Sequence, residues 1–256
     1  MIKISAVIYI NTKPFVYGIK NSGFLQNYRL ELDIPSACAD KLLAGKVDIG
    51  LIPVAIIPQL ENPQILTNYC IGAVGAVRSV MLFSEVPLDQ IKKIYLDHHS
   101  RTSVLLVQIL AKKYWKINPL WIEAGKGFEN NIKGSDAGVV IGDRALEMHN
   151  KFRYSYDLAE EWYKFTSLPF VFACWVANKP LPDVFVEQFG KATGWGVRNM
   201  ERVLEEINKQ DILSPITIQQ TKDYLNNSIS YELDAQKRKG MELFWKYVRE
   251  LPSTYS

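Results

Sequence analysis

Two stretches of the chain share one layout. AGKVDIGLIPVAII (44–57) and GSDAGVVIGDRALEM (134–148) each place Asp-X-Gly ahead of an apolar run that leads into a turn and a helix, with Asp48 and Gly50 in the first copy and Asp136 and Gly138 in the second. A faint repeat of this kind constrains the fold strongly, because each copy is one strand-to-helix unit that has to be buried in a sheet of its own. It predicts two similar α/β lobes, each with a helix-start turn facing the other.

The segments around the first copy agree. IKISAVIYI (2–10) is a short strand rich in β-branched residues, and Asn11-Thr12-Lys13-Pro14 stops it. RLELDI (29–34) alternates like a strand, Pro35 and Ser36 open a short helix that Gly45 closes, and VDIGLIPVAII (47–57) is a second buried strand. This is a β-α-β unit. In open α/β sheets the carboxyl ends of strands face the ligand crevice, which is where Asn11 falls, with a donor and an acceptor to offer. A turn residue bonding its own backbone is the competing role for Asn11, and helix capping is the competing role for Ser36.

IYLDHHSRTSVLLVQIL (94–110) runs from an apolar strand through a polar turn directly into a helix. Ser100, Arg101, Thr102 and Ser103 occupy that turn. A helix start carries unpaired N–H groups and partial positive charge, so hydroxyls and an Arg there suit a carboxylate or phosphate. Capping of the same helix by Ser100 or Thr102 is the other reading. Between the units, VRSVMLFS (77–84) alternates as a strand carrying Arg78, Ser79 and Ser84, and Pro87 marks a crossover into a new sheet. Residues 118–135 are mostly loop, with one short strand at 120–123. Gly142-Asp143-Arg144 ends the second repeat; Asp143 is placed to orient a hydroxyl, to hold Arg101 or Arg144, or to cap the next helix. LPFVFACWVAN (168–178) fits a strand returning to the first lobe. From Pro182 onward apolar residues recur three and four apart, which predicts helices that wrap the first lobe.

Composition excludes several classes. In 256 residues, 22% are charged and 48% hydrophobic, a globular balance, and the net charge of +3 comes from Lys and Arg scattered along the chain rather than clustered as a nucleic-acid face requires. Met-Ile-Lys-Ile-Ser begins a strand without a secretion-type leader, and no apolar run approaches a membrane span, so a cytoplasmic protein is expected. Cys38, Cys70 and Cys174 are odd in number and lack metal spacing, which reads as buried and reduced. There is no G-x-G-x-x-G after the first strand, no Walker loop and no G-x-S-x-G elbow. His98, His99 and His149 show no metal signature; the pair beside Asp97 reads as a catalytic base or, more commonly for such turns, as solvated residues.

Six motifs stand in one order: YINTKPF (9–15), PSACADKLLAGKVDIGLIPVA (35–55), CIGAVGAVRSVMLFS (70–84), LDHHSRTSVLL (96–106), VIGDRAL (140–146) and TSLPFVFACWVA (166–177). Together with ISYELDAQKRKGMELF (229–244) they resemble the chorismate dehydratase family of the futalosine route to menaquinone, which also holds 1,4-dihydroxy-6-naphthoate synthase. The resemblance implies a two-lobed fold similar to type II periplasmic binding proteins with a helical C-terminal tail. It places residues 1–85 with 178–256 in the first lobe and 86–177 in the second. It implies loss of water from chorismate, a small dicarboxylate, to give 3-[(1-carboxyvinyl)oxy]benzoate, with no cofactor, no metal, no nucleic acid and no membrane. In that reading Ser100, Thr102 and Ser103, with Arg101, Gly142 and Asp143 nearby, hold one carboxylate. Ser36 and Ser79 hold the other end, and Asn11 and Ser79 orient the substrate for elimination. The naphthoate synthase is expected to carry a histidine where this chain has Gly142-Asp143-Arg144. A non-catalytic cytoplasmic binding module for a small carboxylate is the remaining alternative.

Overall fold

The computed structural model describes residues 1–210 and 216–252. The expected helical tail also covers 211–215 and 253–256, which lie outside the described residues. β1 (Ile2–Val7) stops short of the end of its apolar run and passes through a 3-10 turn at Ile10–Thr12 into α1 (Lys13–Asn21). Pro14 sits in the first turn of α1, where a missing N–H costs no helical bond. β2 (Tyr28–Asp33), α2 (Pro35–Leu43) and β3 (Ile49–Pro53) complete the first β-α-β unit, and β4 (Gln64–Ala73) follows.

β5 (Val80–Ser84), β6 (Lys93–Asp97), α3 (Thr102–Ile109), β7 (Leu120–Ala124), β8 (Asp136–Ile141), α4 (Asp143–Glu147), β9 (Tyr154–Asp157) and α5 (Leu158–Thr166) come next. The chain then runs through β10 (Phe170–Ala177), α6 (Asp183–Arg198), α7 (Met200–Gln210), α8 (Ile218–Asp223), β11 (Ser230–Glu232) and α9 (Ala235–Arg249). A π turn at Tyr224–Ser228 extends α8.

Among the described residues the strands form a six-stranded sheet, ordered β11-β4-β10-β3-β1-β2, and a five-stranded sheet, ordered β7-β6-β8-β5-β9. The repeat seen in the sequence is a repeat of topology. In the first sheet β1 pairs parallel with β2 and β3, and β10 adds antiparallel to β3; in the second, β6 pairs parallel with β7 and β8, and β5 adds antiparallel to β8. Gly50 and Gly138 therefore lie on equivalent strands, paired with Ser5 and Tyr95.

The expected lobe limits need correcting. β5 belongs to the second sheet and β10 to the first, so the chain crosses between Ala73 and Val80 and again between Thr166 and Phe170, not near Ser84–Pro87 and Phe172–Asn178. Both crossing strands are buried along their whole length. A strand covered on both faces reads as an unbroken apolar run, and such a run does not say which of two sheets it joins. β4, β9 and β11 are also strands that the sequence reading did not anticipate; β11, three residues long, interrupts the otherwise helical tail.

The tail helices do cover the first lobe: α6 lies on α1 and β4, and α9 on β10. Their anchor is an aromatic cluster in which Phe170 meets Phe244 and Trp162 edge-to-face, each at 5.3 Å between ring centroids. Such pairs add about 0.5–1.5 kcal/mol each beyond the area they bury.

Candidate active site

A cleft of about 520 Å³ lies between the two lobes. Much of its wall is apolar, from Val7, Ile71, Val77, Val80, Ile141 and Phe172, and the polar groups converge from strand ends and one helix start. Asn11 enters from the 3-10 turn after β1, Ser79 from the segment before β5, Ser100, Thr102 and Ser103 from the start of α3, and Gly142 from the β8–α4 turn. No Lys or Arg lines the cleft among the described residues.

At α3 the turn closes on its own helix and also faces the cleft. The Ser100 hydroxyl oxygen accepts the Ser103 N–H at 2.9 Å, as a helix-start serine does, while both residues line the cleft. Thr102 is committed to the first lobe: its Oγ1 accepts the Ala55 N–H and donates to the Phe172 carbonyl, both at 3.3 Å.

Three expected site residues lie elsewhere. Arg101 points outward, half exposed, with its guanidinium 3.5 Å from Asp40. The first turn of α2 is turned to the other lobe, where the Ser36 N–H donates to the His99 carbonyl at 3.2 Å. Asp143 also bridges the lobes, its Oδ1 accepting the Ile10 N–H at 3.1 Å. Gly142 does line the cleft, but its N–H is given to the Ser79 carbonyl at 2.8 Å. Its φ of +68° lies in the left-handed region, and a Cβ there would stand 2.6 Å from the Tyr9 ring.

The sequence reading missed a polar latch beside the cleft. Tyr9 Oη and His99 Nδ1 are 2.8 Å apart, and Arg144 Nη2 lies 3.2 Å from the same nitrogen. A guanidinium can only donate, so Nδ1 accepts and the imidazole proton sits on Nε2. Burial, then the Arg144 charge, lowers the His99 pKa, and burial, then Asp97, raises that of Tyr9, so the pair is neutral with Tyr9 donating. Fully buried Asp97 accepts the N–H groups of His99 (3.0 Å) and Ile141 (3.2 Å) and pairs with Arg144. Asp97, His98 and His99 have ligand-type atoms within 4.8 Å of one another. They do not fit a cation, because the Arg144 guanidinium already shares Asp97 Oδ2 and faces His99 Nδ1.

Tyr224 was missed as well. Asn11 Nδ2 donates to its Oη at 3.1 Å, and that Oη donates to Ser79 Oγ at 2.7 Å. Nothing in the helical spacing of TIQQTKDYLNN separates this tyrosine from an ordinary packing residue.

Two α/β lobes joined by two crossings, with a cleft between them lined from both, define a periplasmic-binding-protein-like fold. The chain is similar over 97% of its length, and 97% of the other chain, to a protein from Archaeoglobus fulgidus (TM-score 0.75, 12% identity). It is similar over 99% of its length and 91% of the other to a Candida albicans gene product described as having the generic periplasmic binding protein fold (TM-score 0.65, 12% identity). An alkanesulfonate-binding protein from Xanthomonas axonopodis pv. citri matches over 98% and 94% (TM-score 0.62, 16% identity).

The sequence profile of a menaquinone biosynthesis family matches residues 2–250, and the chain belongs to that family. Among curated relatives, a chorismate dehydratase of Thermus thermophilus is 26% identical over 92% of this chain and 91% of its own. One from Campylobacter jejuni is 24% identical over 95% and 96%. No helix among the described residues is long and apolar enough to cross a membrane.

Proposed function

We propose that this chain is a chorismate dehydratase, a carbon–oxygen lyase that converts chorismate to 3-[(1-carboxyvinyl)oxy]benzoate and water without a cofactor. The observation that carries the reading is the meeting in one cleft of Asn11 from the first lobe, Ser79 from the crossing, and the first turn of α3. The matched relatives named for this activity support it.

The first turn of α3, with Ser100 and Ser103, is the seat for one carboxylate, held by helix-start amides and hydroxyls rather than by a cation. The apolar walls receive the ring. Asn11 and Ser79 hold the hydroxyl and side-chain end. In the elimination, the C–H bond at the ring carbon bearing the ether breaks and its electron pair becomes the new ring double bond. The neighbouring C–O pair leaves with the hydroxyl oxygen, which takes up the proton as water. Aromatisation supplies the driving force, and the substrate's own side-chain carboxylate is within reach to carry the proton. What the protein contributes is orientation in a closed site.

The test is incubation of purified protein with chorismate and no added cofactor, followed by mass and ultraviolet detection. The expected result is a product lighter by one water, with turnover lowered at least about 100-fold in Asn11→Ala, in line with the loss of one transition-state donor. Full turnover in that variant would remove Asn11 from its role, and chorismate returned unchanged by the unaltered protein would overturn the assignment.

A further inference from the structure

Tyr224 touches both residues on which the proposed dehydration depends, yet it stands behind the wall of the cleft. Its side chain is 1% exposed. With the Thr12 hydroxyl donating to Asn11 Oδ1 at 3.2 Å, the amide nitrogen of Asn11 is the atom that faces Tyr224, and an amide nitrogen only donates. Tyr224 Oη is therefore the acceptor in that bond. Its single proton goes to Ser79 Oγ, and this uses an acceptor site of Ser79. The proton of Ser79 itself is left for the cleft, whose wall that residue forms. Burial, first among several causes, holds the Tyr224 phenol in its protonated form.

The tail grips the same two places by other bonds. Asp223 pairs with Arg78, the neighbour of Ser79, and Tyr231 Oη donates to the Asn11 carbonyl at 3.0 Å. Residues 223–231 thus bond Asn11 at its side chain and its carbonyl, and Ser79 both directly and through its neighbour Arg78.

We propose that Tyr224 is a positioning residue: it fixes the direction of the chain Asn11 N–H to Tyr224 O–H to Ser79 O–H, so that Ser79 presents its proton to the oxygen that leaves. The inference rests on the dehydratase reading above. When the C–O bond breaks, its electron pair collects on the hydroxyl oxygen. A hydrogen bond already aimed there is stronger in the transition state than in the bound substrate. The proton that completes the water is the one taken from the ring carbon, so Ser79 ends the cycle with its own proton.

The experiment is a double-mutant cycle of Tyr224→Phe and Ser79→Ala, with thermal midpoints read for all four proteins. Tyr224→Phe is expected to lower kcat for chorismate about 10- to 100-fold with KM changed less than about threefold, and to cost less than about threefold in the Ser79→Ala background. An equal loss in both backgrounds, or a rise in KM with kcat intact, overturns the proposal. Asp223→Asn releases Arg78 and leaves the phenol in place. A change below about threefold supports the hydroxyl as the cause, and a loss matching that of Tyr224→Phe assigns the effect to the Asp223 contact and overturns it. If the unaltered protein returns chorismate unchanged, the reaction assigned above fails, and the same cycle is read as the dissociation constant of 3-hydroxybenzoate. A Tyr224→Phe weakening of at least about threefold that vanishes without Ser79 supports the positioning role, whereas one that persists, or no weakening or binding at all, overturns it.

Discussion

His99 holds Tyr9 across the lobe boundary only as a neutral acceptor, and this makes the latch sensitive to acid. Its pKa is lowered by burial first and then by the Arg144 charge, with Asp97 and Glu129 opposing and His98 adding to the fall. In the interval below the ordinary histidine value the unfolded chain binds a proton that the folded chain does not, so stability rises with pH there. It is lost as pH falls through about 6.5, and the loss levels off once pH is below the folded pKa. In His99→Asn a side-chain oxygen that does not titrate takes the place of Nδ1. Denaturant unfolding at pH 7 and pH 5 is expected to show a larger drop in the unaltered protein than in this variant; equal drops would remove His99 as the source. The contact itself was not legible in the sequence. Tyr9 and His99 are 90 positions apart; Tyr9 reads as part of the first strand and His99 as a turn residue, each with many ordinary partners. Asn11 was legible as a candidate because the carboxyl ends of strands face the crevice in such sheets, a rule that needs no knowledge of partners, whereas Ser79, ahead of β5, was reached only through the family resemblance. Arg101 follows the same rule and departs from it: its long side chain turns out to Asp40, and the helix start faces the cleft without it.

At the scale of elements, α9 shows how the helical tail becomes part of the first lobe. Phe244 is fully buried against Phe170 of β10 and Trp162 of α5, at 5.3 and 6.4 Å between centroids. One residue of the tail thus joins the returning strand to a helix of the second half of the chain. Phe244→Ala is expected to lower the unfolding free energy by about 3–5 kcal/mol, from lost transfer energy and the cavity left behind. A fall in Tm on the order of 10 °C would accompany it, checked by calorimetry. A change below about 1 kcal/mol would mean that α9 is bound through other contacts. The tail helices were readable from their 3.6-residue period, β1 from its β-branched run, β2 from its alternation, and β3, β6 and β8 from their short apolar runs. β4 and β9 were not, since polar residues such as Asn68 and Ser155 fall among their apolar ones and blur the alternation.

At the scale of the molecule, the lobes are held shut by bonds that cross from one to the other: Tyr9 to His99, Ser36 to His99, Ile10 to Asp143, Ala55 to Thr102, and Thr102 to Phe172. Gly142 belongs to this closure, with the space a side chain would need filled by the Tyr9 ring. Gly142→Ala is expected to cost about 1–3 kcal/mol from backbone strain, with a further loss from the ring contact. Part of the loss should be recovered in a Tyr9→Ala background, where only the backbone share remains. Denaturant unfolding of the four proteins checks this, and strictly additive losses would rule out the contact.

The two exchanged strands also set an order of events. All of the second sheet lies between residues 80 and 157, so it is complete in a growing chain while the first sheet still lacks β10, the strand that stands between β4 and β3. The lobe that begins first in the sequence is the one that closes last. The site between them, which takes Asn11 from the start of the chain and its partner Tyr224 from near the end, is assembled only when almost everything else has been made.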